Sequence, residues 1–209
     1  MYLPKYFEQH DLAELARLLH EHPLATLVTT AADGTLTADH VPLEYIADDG
    51  PHGKLRGHVA RANPLWRHAA GRPVLAVFNG PQAYISPSWY PSKQANHKVV
   101  PTWNYAVVHA SGVLHATEDA PWLHALVSGL TASHESSRPA PWAVGDAPDD
   151  FVQQMLRAIV GIEIPIGSLV GKWKLSQNRS AADLAGTVSG LESGDAPARA
   201  TARWMAGGG

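Results

Sequence analysis

The sequence of 209 residues contains no cysteine, and that absence excludes several kinds of site at once. Disulfides, thiolate nucleophiles, cysteine-ligated zinc and iron–sulfur clusters all require that residue. The chain also has no run of Lys or Arg, and its net charge is −3, so no basic face for a nucleic-acid backbone is evident. It has no apolar signal core and no apolar stretch long enough to cross a bilayer. We therefore expect a soluble, cytoplasmic protein.

The familiar catalytic signatures are missing as well. The sequence has no GxSxG elbow, no GxGxxG fingerprint and no phosphate loop ending in GK[ST]. Histidine is plentiful, with 12 residues, but no HExxH or helical HxxxH pair is present. We assign no catalytic residue and expect no metal site.

Hydrophobic periodicity and turn residues predict short strands with helices added around them. Strands are expected at residues 24–30, 36–46, 54–59, 73–79, 82–86, 161–165 and 170–175, with hairpins at Ala32-Asp33-Gly34 and over residues 102–117. Helices are expected after Asp11, Asn63, Asp119, Asp149 and Ser180. The pattern indicates a mainly β fold with peripheral helices, an antiparallel barrel.

The chain length suits one domain, which we expect to span residues 1–191. Residues 192–209 are rich in Ala and Gly and weakly patterned, so we expect a mobile tail there.

Aromatic residues make up 8% of the chain, yet five of them fall within residues 84–105, YISPSWYPSKQANHKVVPTWNY. Small polar residues and three prolines are interleaved, and no helical stripe runs through. This composition suits the lining of a site for a flat ring, because aromatic faces bind rings and polar groups orient them. The alternative is an aromatic-rich loop folded over its own domain.

Residues 57–64, GHVARANP, join a strand end to a helix start. His58, Arg61 and Asn63 could converge with the free N–H groups of the helix on a phosphate. The alternative is an ordinary capped helix with two surface cations.

A second polar segment, GKWKLSQNR, occupies residues 171–179. If it is extended, Lys172 and Lys174 face one side and Trp173 the other. The alternative is a solvated edge with one buried Trp.

The strings MYLPKYF, GHVARANPLW, YISPSWYPSK, VVPTWNYAVVHASG and GKWKLSQNR occur in that order across residues 1–179. With them the chain resembles the PaiB-type FMN-binding negative transcriptional regulators. The resemblance implies a split antiparallel β-barrel of the flavin reductase and pyridoxamine-phosphate oxidase type. It also implies a homodimer with FMN at the subunit interface.

Carried over by position, the resemblance implies cofactor-binding residues in three groups. His58, Arg61 and Asn63 would hold the phosphate. Others would flank the isoalloxazine ring: Pro42, Leu43, Ser86, Tyr90, Trp103 and Asn104. A last group would arrive from the partner subunit: Lys172, Lys174, Gln177 and Asn178.

Three functions remain open from the sequence. The first is an FMN-binding protein with an oxidoreductase-like or redox-sensing role, in which the flavin carries the chemistry. The second is a transcriptional repressor without turnover, although the acidic chain has no basic recognition helix to support direct DNA binding. The third is a haem-binding split barrel.

Overall fold

The computed structural model describes residues 1–31 and 33–207. The strands are β1 (Glu8–Gln9), β2 (Leu24–Thr30), β3 (Leu36–Pro42), β4 (Glu44–Ile46), β5 (Lys54–Ala60), β6 (Pro73–Ile85), β7 (Thr102–Val113), β8 (His115–Thr117) and β9 (Ile159–Lys174). The helices are α1 (Leu12–Glu21), α2 (Leu65–His68), α3 (Ser92–Asn96), α4 (Ala120–Glu135), α5 (Asp149–Arg157), α6 (Ala181–Glu192) and α7 (Ala196–Met205). Within the described ranges, no helix has the length and apolar character needed to span a membrane.

Hydrogen-bonded strands follow the order β3-β2-β6-β7-β9-β5-β4, with β1 and β8 each pairing with β9. The pairs with an assigned register are antiparallel. Pairing of β2 with β3 ends at Thr30 opposite Leu36, which confirms the first hairpin. Of the predicted turn residues, Ala32 lies outside the described residues.

The chain divides into two compact units. The single domain over residues 1–191 stays a prediction. Unit 1 comprises Met1–Glu21, Asn79–Val108 and Val170–Gly209. Unit 2 comprises His22–Phe78 and His109–Leu169. Because β6, β7 and β9 each contribute residues to both units, neither unit is continuous in sequence.

Unit 2 is built on strands with one buried face. In β5, Leu55, Gly57 and Val59 are buried and alternate with more accessible residues. A Cβ at Gly57 would lie 2.7 Å from the carbonyl oxygen of Pro42, so only glycine allows this approach. The strand therefore holds His58 and its neighbours at fixed positions.

Unit 1 buries aromatic side chains. Tyr90 packs in a cluster with Ile85 and Leu191, and Trp173 contacts Trp204 with ring centroids 5.6 Å apart. Trp204 belongs to α7, where we expected a mobile tail. Asp195 caps that helix by accepting a hydrogen bond from the Ala198 amide. An alanine-rich sequence favours helix, and the buried Trp204 holds it in place.

Other differences concern where strands end. The strands predicted at residues 73–79 and 82–86 are joined in β6, and those predicted at 161–165 and 170–175 are joined in β9. The hairpin predicted over residues 102–117 is wrong, because β8 pairs with β9. Gly112 lies within β7, and the carbonyl oxygen of Pro165 lies 2.1 Å from where its Cβ would be. The residue serves close strand packing, which the sequence pattern cannot separate from a turn.

Two helical glycines allow a matched test of the packing under the aromatic segment. A Cβ at Gly186 of α6 would lie 2.2 Å from the main-chain oxygen of Trp89, whereas Gly129 of α4 faces open space. Gly129→Ala should raise the free energy of unfolding by about 0.5–1 kcal/mol through helix propensity. Gly186→Ala should lower it by about 1–3 kcal/mol, as overpacking does. Urea unfolding measures both, and shifts of the same sign would contradict the packing of α6 on Trp89.

Candidate functional site

Three cations lie close together in unit 1, namely Lys172 and Lys174 of β9 and Arg179 beyond its end. Successive strand side chains alternate between faces, so the two lysines share the face opposite Trp173. Trp173 is buried against Trp204, which fixes the orientation of the strand. This cation cluster, defined as Lys172, Lys174 and Arg179, is the first part of the candidate site.

Lys172 is buried, with 7% of its surface exposed. Its Nζ donates a 3.0 Å hydrogen bond to the main-chain oxygen of Tyr2. The same Nζ lies 5.4 Å from the ring centroid of Tyr105 and 5.7 Å from that of Tyr2, within cation–π range. These contacts solvate the ammonium group without neutralising its charge.

Lys174 is half-buried and donates to the hydroxyl of Thr102 at 2.5 Å and to the main-chain oxygen of Trp103. Burial lowers the pKa of Lys174, and the like charges of Lys172 and Arg179 lower it further. A lowered lysine pKa means that the fold disfavours the charged ammonium. A bound anion would reverse that effect, so the cluster is electrostatically suited to one.

The two lysines of the cluster have hydrogen bonds but lack carboxylate partners at salt-bridge distance in the described part of the chain. Among residues 1–31 and 33–207, no carboxylate forms a salt bridge with Lys172 or Lys174. Asp183 is near Arg179: the Ser92 amide, and more weakly Arg179, hold the pKa of its carboxyl below the ordinary value. The two lysines therefore fit a phosphate group, which prefers charge-assisted donors.

The second part of the site is an aromatic cavity of about 320 Å³ in unit 1. Tyr84, Trp89 and Trp103 provide its aromatic walls. Tyr84 and Trp103 meet edge to face with centroids 6.3 Å apart, and about half of each is exposed. Trp103 links the two parts, because its oxygen accepts from Lys174 while its indole lines the cavity.

Buried polar contacts support these residues from below. The side chain of Asn104 is 1% exposed and donates a 2.9 Å hydrogen bond to the hydroxyl of Ser176. Ser176 adopts a left-handed backbone, with φ of 68°, directly after the lysine-bearing strand. Asn104 is therefore a supporting residue rather than one with a free face.

The remaining predicted residues of unit 1 have varied surroundings. Tyr90 is 2% exposed and packs in the core, with Arg179 above its ring at 4.9 Å. Ser86 caps a short turn by accepting from the Ser88 amide. Gln177 is exposed and bonds locally to Trp173 and Leu175, and Asn178 is also exposed.

In unit 2, Arg61 has protein partners where a phosphate was expected. Its Nε donates to the main-chain oxygen of Arg157 at 2.6 Å, one terminal nitrogen to that of Ile159 at 3.1 Å, and the other to Glu118. A guanidinium with these partners joins the end of β5 to the start of β9. These contacts give Arg61 a structural role, and its role as a phosphate ligand stays a prediction.

The other predicted residues of unit 2 also have local contacts. Asn63 caps α2 by accepting from the Leu65 amide and donates to Asp39 at 2.7 Å, and that carboxylate would repel a phosphate. Leu43 is buried and Pro42 is exposed. His58 lines a different cavity, and burial lowers the pKa of its imidazole.

Sequence reasoning left several site residues unassigned. Four of them lie inside the two segments that the sequence singled out, residues 84–105 and 171–179: Tyr84, Trp89, Thr102 and Arg179. The composition of these segments indicated a site but did not show which of their residues form it. Tyr2 lies in the string MYLPKYF but received no site role from the sequence. It reaches Lys172 because β1 pairs with β9, with Glu8 opposite Lys172.

The protein is thus mainly antiparallel β, and Trp103 connects the two lysines, which have no salt bridge in the described residues, with the aromatic cavity. The chain belongs to the family described as "Putative FMN-binding domain", which matches residues 1–168. The match includes Thr102, Trp103 and Tyr105 but ends before Lys172.

Relatives cover most of the chain. It is 34% identical to the protease synthase and sporulation protein PAI 2 of Bacillus subtilis over 94% of this chain and 92% of that one. It is 31% identical to an uncharacterized protein of Aspergillus fumigatus over 92% of this chain and 91% of that one. The resemblance to the PaiB-type family is thereby confirmed, and it supports flavin binding.

Solved structures show the fold. An FAD- and haem-binding protein of Mycobacterium smegmatis aligns with a TM-score of 0.60 at 18% identity, covering 85% of this chain and 78% of that one. A flavocytochrome of Azotobacter vinelandii aligns with a TM-score of 0.59 at 12% identity, covering 82% and 72%. The expected split β-barrel with peripheral helices is confirmed.

The contacts of Arg61 lead to a stability prediction. Arg61→Met removes the donors to two main-chain oxygens and should lower the free energy of unfolding by about 1–3 kcal/mol. Arg72→Met at an exposed position should change it by less than about 0.5 kcal/mol. Urea unfolding measures both, and flavin fluorescence should show an unchanged preference of Arg61→Met for FMN over riboflavin. A lost preference with unchanged stability would make Arg61 a phosphate ligand instead.

Proposed function

We propose that the protein binds FMN, with the phosphate on Lys172 and Lys174 and the isoalloxazine ring against the aromatic cavity. The observation that carries the proposal is the pair of lysines held side by side without a salt-bridge partner in the described part of the chain. Lys54 is a contrast within the same chain, because it contacts both Asp49 and Glu163.

A bound phosphate would offset the mutual repulsion of the like charges in the cation cluster. A phosphomonoester carries about −1.5 to −2 charges at neutral pH. A bound phosphate would favour the charged form of Lys174 and so oppose the burial and like charges that lower its pKa. Two or three charge-assisted bonds could then separate FMN from riboflavin by several kcal/mol.

The aromatic cavity of unit 1 supports binding of the isoalloxazine ring. Its volume of about 320 Å³ is at the lower end of small-molecule sites, roughly 300–1,000 Å³. Trp103 offers a half-exposed indole for stacking, and Gln82 accepts the indole N–H at 3.2 Å, which orients it. Trp103 would thus position the ring while its main-chain oxygen holds Lys174.

When bound, the flavin supplies electron or hydride transfer, consistent with an oxidoreductase-like or redox-sensing role. The residues of the cluster bind and orient, and none of them is placed as an acid or base by its contacts.

Replacing one lysine tests the phosphate contact. Lys174→Met should weaken FMN binding by roughly 10- to 100-fold, the loss of one charge-assisted bond, and change riboflavin binding by less than about threefold. Lys174→Arg keeps the charge and should retain most of the preference for FMN. Quenching of flavin fluorescence during titration measures both affinities.

Lys54→Met is the matched control, because that lysine is already neutralised by two carboxylates. It should leave the ratio of FMN to riboflavin affinity unchanged. The proposal that the cluster binds the phosphate would be contradicted if Lys174→Met weakened the affinities for FMN and riboflavin equally. A changed ratio of these affinities in Lys54→Met would contradict it as well.

We further propose that the protein is a homodimer with the flavin at the subunit interface, as the resemblance implies. Large apolar side chains of unit 1 remain open to solvent, and two of them, Tyr84 and Trp103, wall the cavity itself. Exposed aromatic groups of this kind mark interaction surfaces. A second copy would cover them and close the ring site.

Light scattering tests the dimer. The wild-type protein should have twice the chain mass of 22.4 kDa. Trp103→Glu should shift it towards the monomer, because a charge at a buried interface is costly. Trp142→Glu changes a Trp of equal exposure, 49%, in unit 2 and should remain dimeric. A monomeric wild type, or two dimeric variants, would contradict this interface.

A role in negative regulation of transcription is the second candidate. The relative of Bacillus subtilis is named for protease synthesis and sporulation, which favours a regulatory process. The net charge of −3 argues for action through a partner or an effector rather than direct DNA contact. A salt-sensitive, sequence-dependent mobility shift by the pure protein would overturn that preference.

A further inference from the structure

A second cavity, of about 300 Å³, lies within unit 2 and takes no part in the flavin proposal. Its walls come from α4, α5, the segment before α5, and the strands β5 and β9. Nearly all of its lining is apolar, including Val127 of α4 and Leu156 of α5. It therefore differs in chemistry from the cation cluster.

The rim of this cavity carries three large apolar side chains that remain accessible. Trp142, Phe151 and Met155 are 49%, 51% and 43% exposed, and all three line the cavity. Phe151 and Met155 are one helical turn apart on α5, so both are on the same side of that helix. Large apolar groups arranged around an opening are typical of a binding site.

One polar ring stands in this apolar wall, the imidazole of His58. Its Nδ1 is buried and has no hydrogen-bond partner. Burial lowers the pKa of His58, so the ring is neutral at pH 7 and offers one donor and one acceptor. A buried polar atom without a partner destabilises a fold, so such an atom requires an explanation.

The other polar side chains on the same face of β5 form salt bridges. Lys54 contacts Asp49 and Glu163, and Arg56 contacts Glu44 at 2.8 Å. These residues alternate with the buried face of β5 as His58 does. His58 is the member of that face directed at an apolar cavity instead of a counter-charge.

We propose that this cavity binds a small, uncharged, largely apolar molecule of one or two rings, with a hydroxyl group that hydrogen-bonds to His58. The size follows from the volume, since a dry cavity of about 150 Å³ holds one benzene and this one is roughly twice as large. The apolar walls and the neutral imidazole select against a phosphate or a carboxylate.

The test uses 2-naphthol and naphthalene, which differ by the hydroxyl group, with ligand-observed NMR on the purified full-length protein. Both should bind saturably. His58→Leu should weaken 2-naphthol roughly 3- to 10-fold, as expected for one lost hydrogen bond, and leave naphthalene unchanged. His115→Leu is the matched control, because His115 is exposed on β8 and outside the cavity lining. It should change neither affinity.

A variant that fills the cavity tests whether the two probes bind there. Ala147 lines the cavity, and Ala147→Trp should abolish binding of both probes while circular dichroism stays that of the wild type. Absence of saturable binding would mean that the cavity holds water only. Equal affinity of the wild type and His58→Leu for 2-naphthol would contradict the proposed hydrogen bond between the hydroxyl group and His58. A Soret band of the purified protein that disappears in His58→Leu would assign the cavity to haem and overturn the proposed ligand class.

Discussion

Close packing along β9 is the constraint on which the remaining structure depends. This strand of Ile159–Lys174 pairs with β1, β5 and β8, and it tolerates no side chain at two of its positions. A Cβ at Gly161 would lie 2.3 Å from the ring of Trp122, and one at Gly171 would lie 2.3 Å from Leu15. Its first residue borders the apolar cavity, and its end carries Lys172 and Lys174. One strand thereby sets the position of residues in both candidate sites.

The two sites differ in how the chain treats polar groups. Arg61 contacts Glu118, and Lys54 contacts Asp49 and Glu163, so carboxylates balance these two charges. Lys172 and Lys174 are placed against tyrosine rings, hydroxyls and main-chain oxygens, which leaves their charge for a ligand. His58 is neutral and faces apolar walls. A charged phosphate and an uncharged ring compound would thus be sorted by electrostatics rather than by size.

Local signals in the sequence predicted local structure well. The bounds of β2 and the side-chain caps at Asp119 and Ser180 match, because alternation and capping depend on neighbours in sequence. The partner of β8 and the burial of Trp204 depend on distant residues, so they were missed. The same distinction holds for the site. Composition singled out residues 171–179. The hydrogen bonds of Arg61 to the main chain of Arg157 and Ile159 could not be predicted, because those residues are distant in sequence.

Whether FMN is bound is tested by the visible absorption spectrum of freshly purified protein, with chromatography of the released cofactor. We expect a flavin spectrum, intensified by added FMN where occupancy is incomplete, and release of FMN. Release of FAD would contradict a site for a terminal phosphate. A colourless protein that does not respond to added FMN would contradict flavin binding, and the chain would then retain the fold of its family without its cofactor.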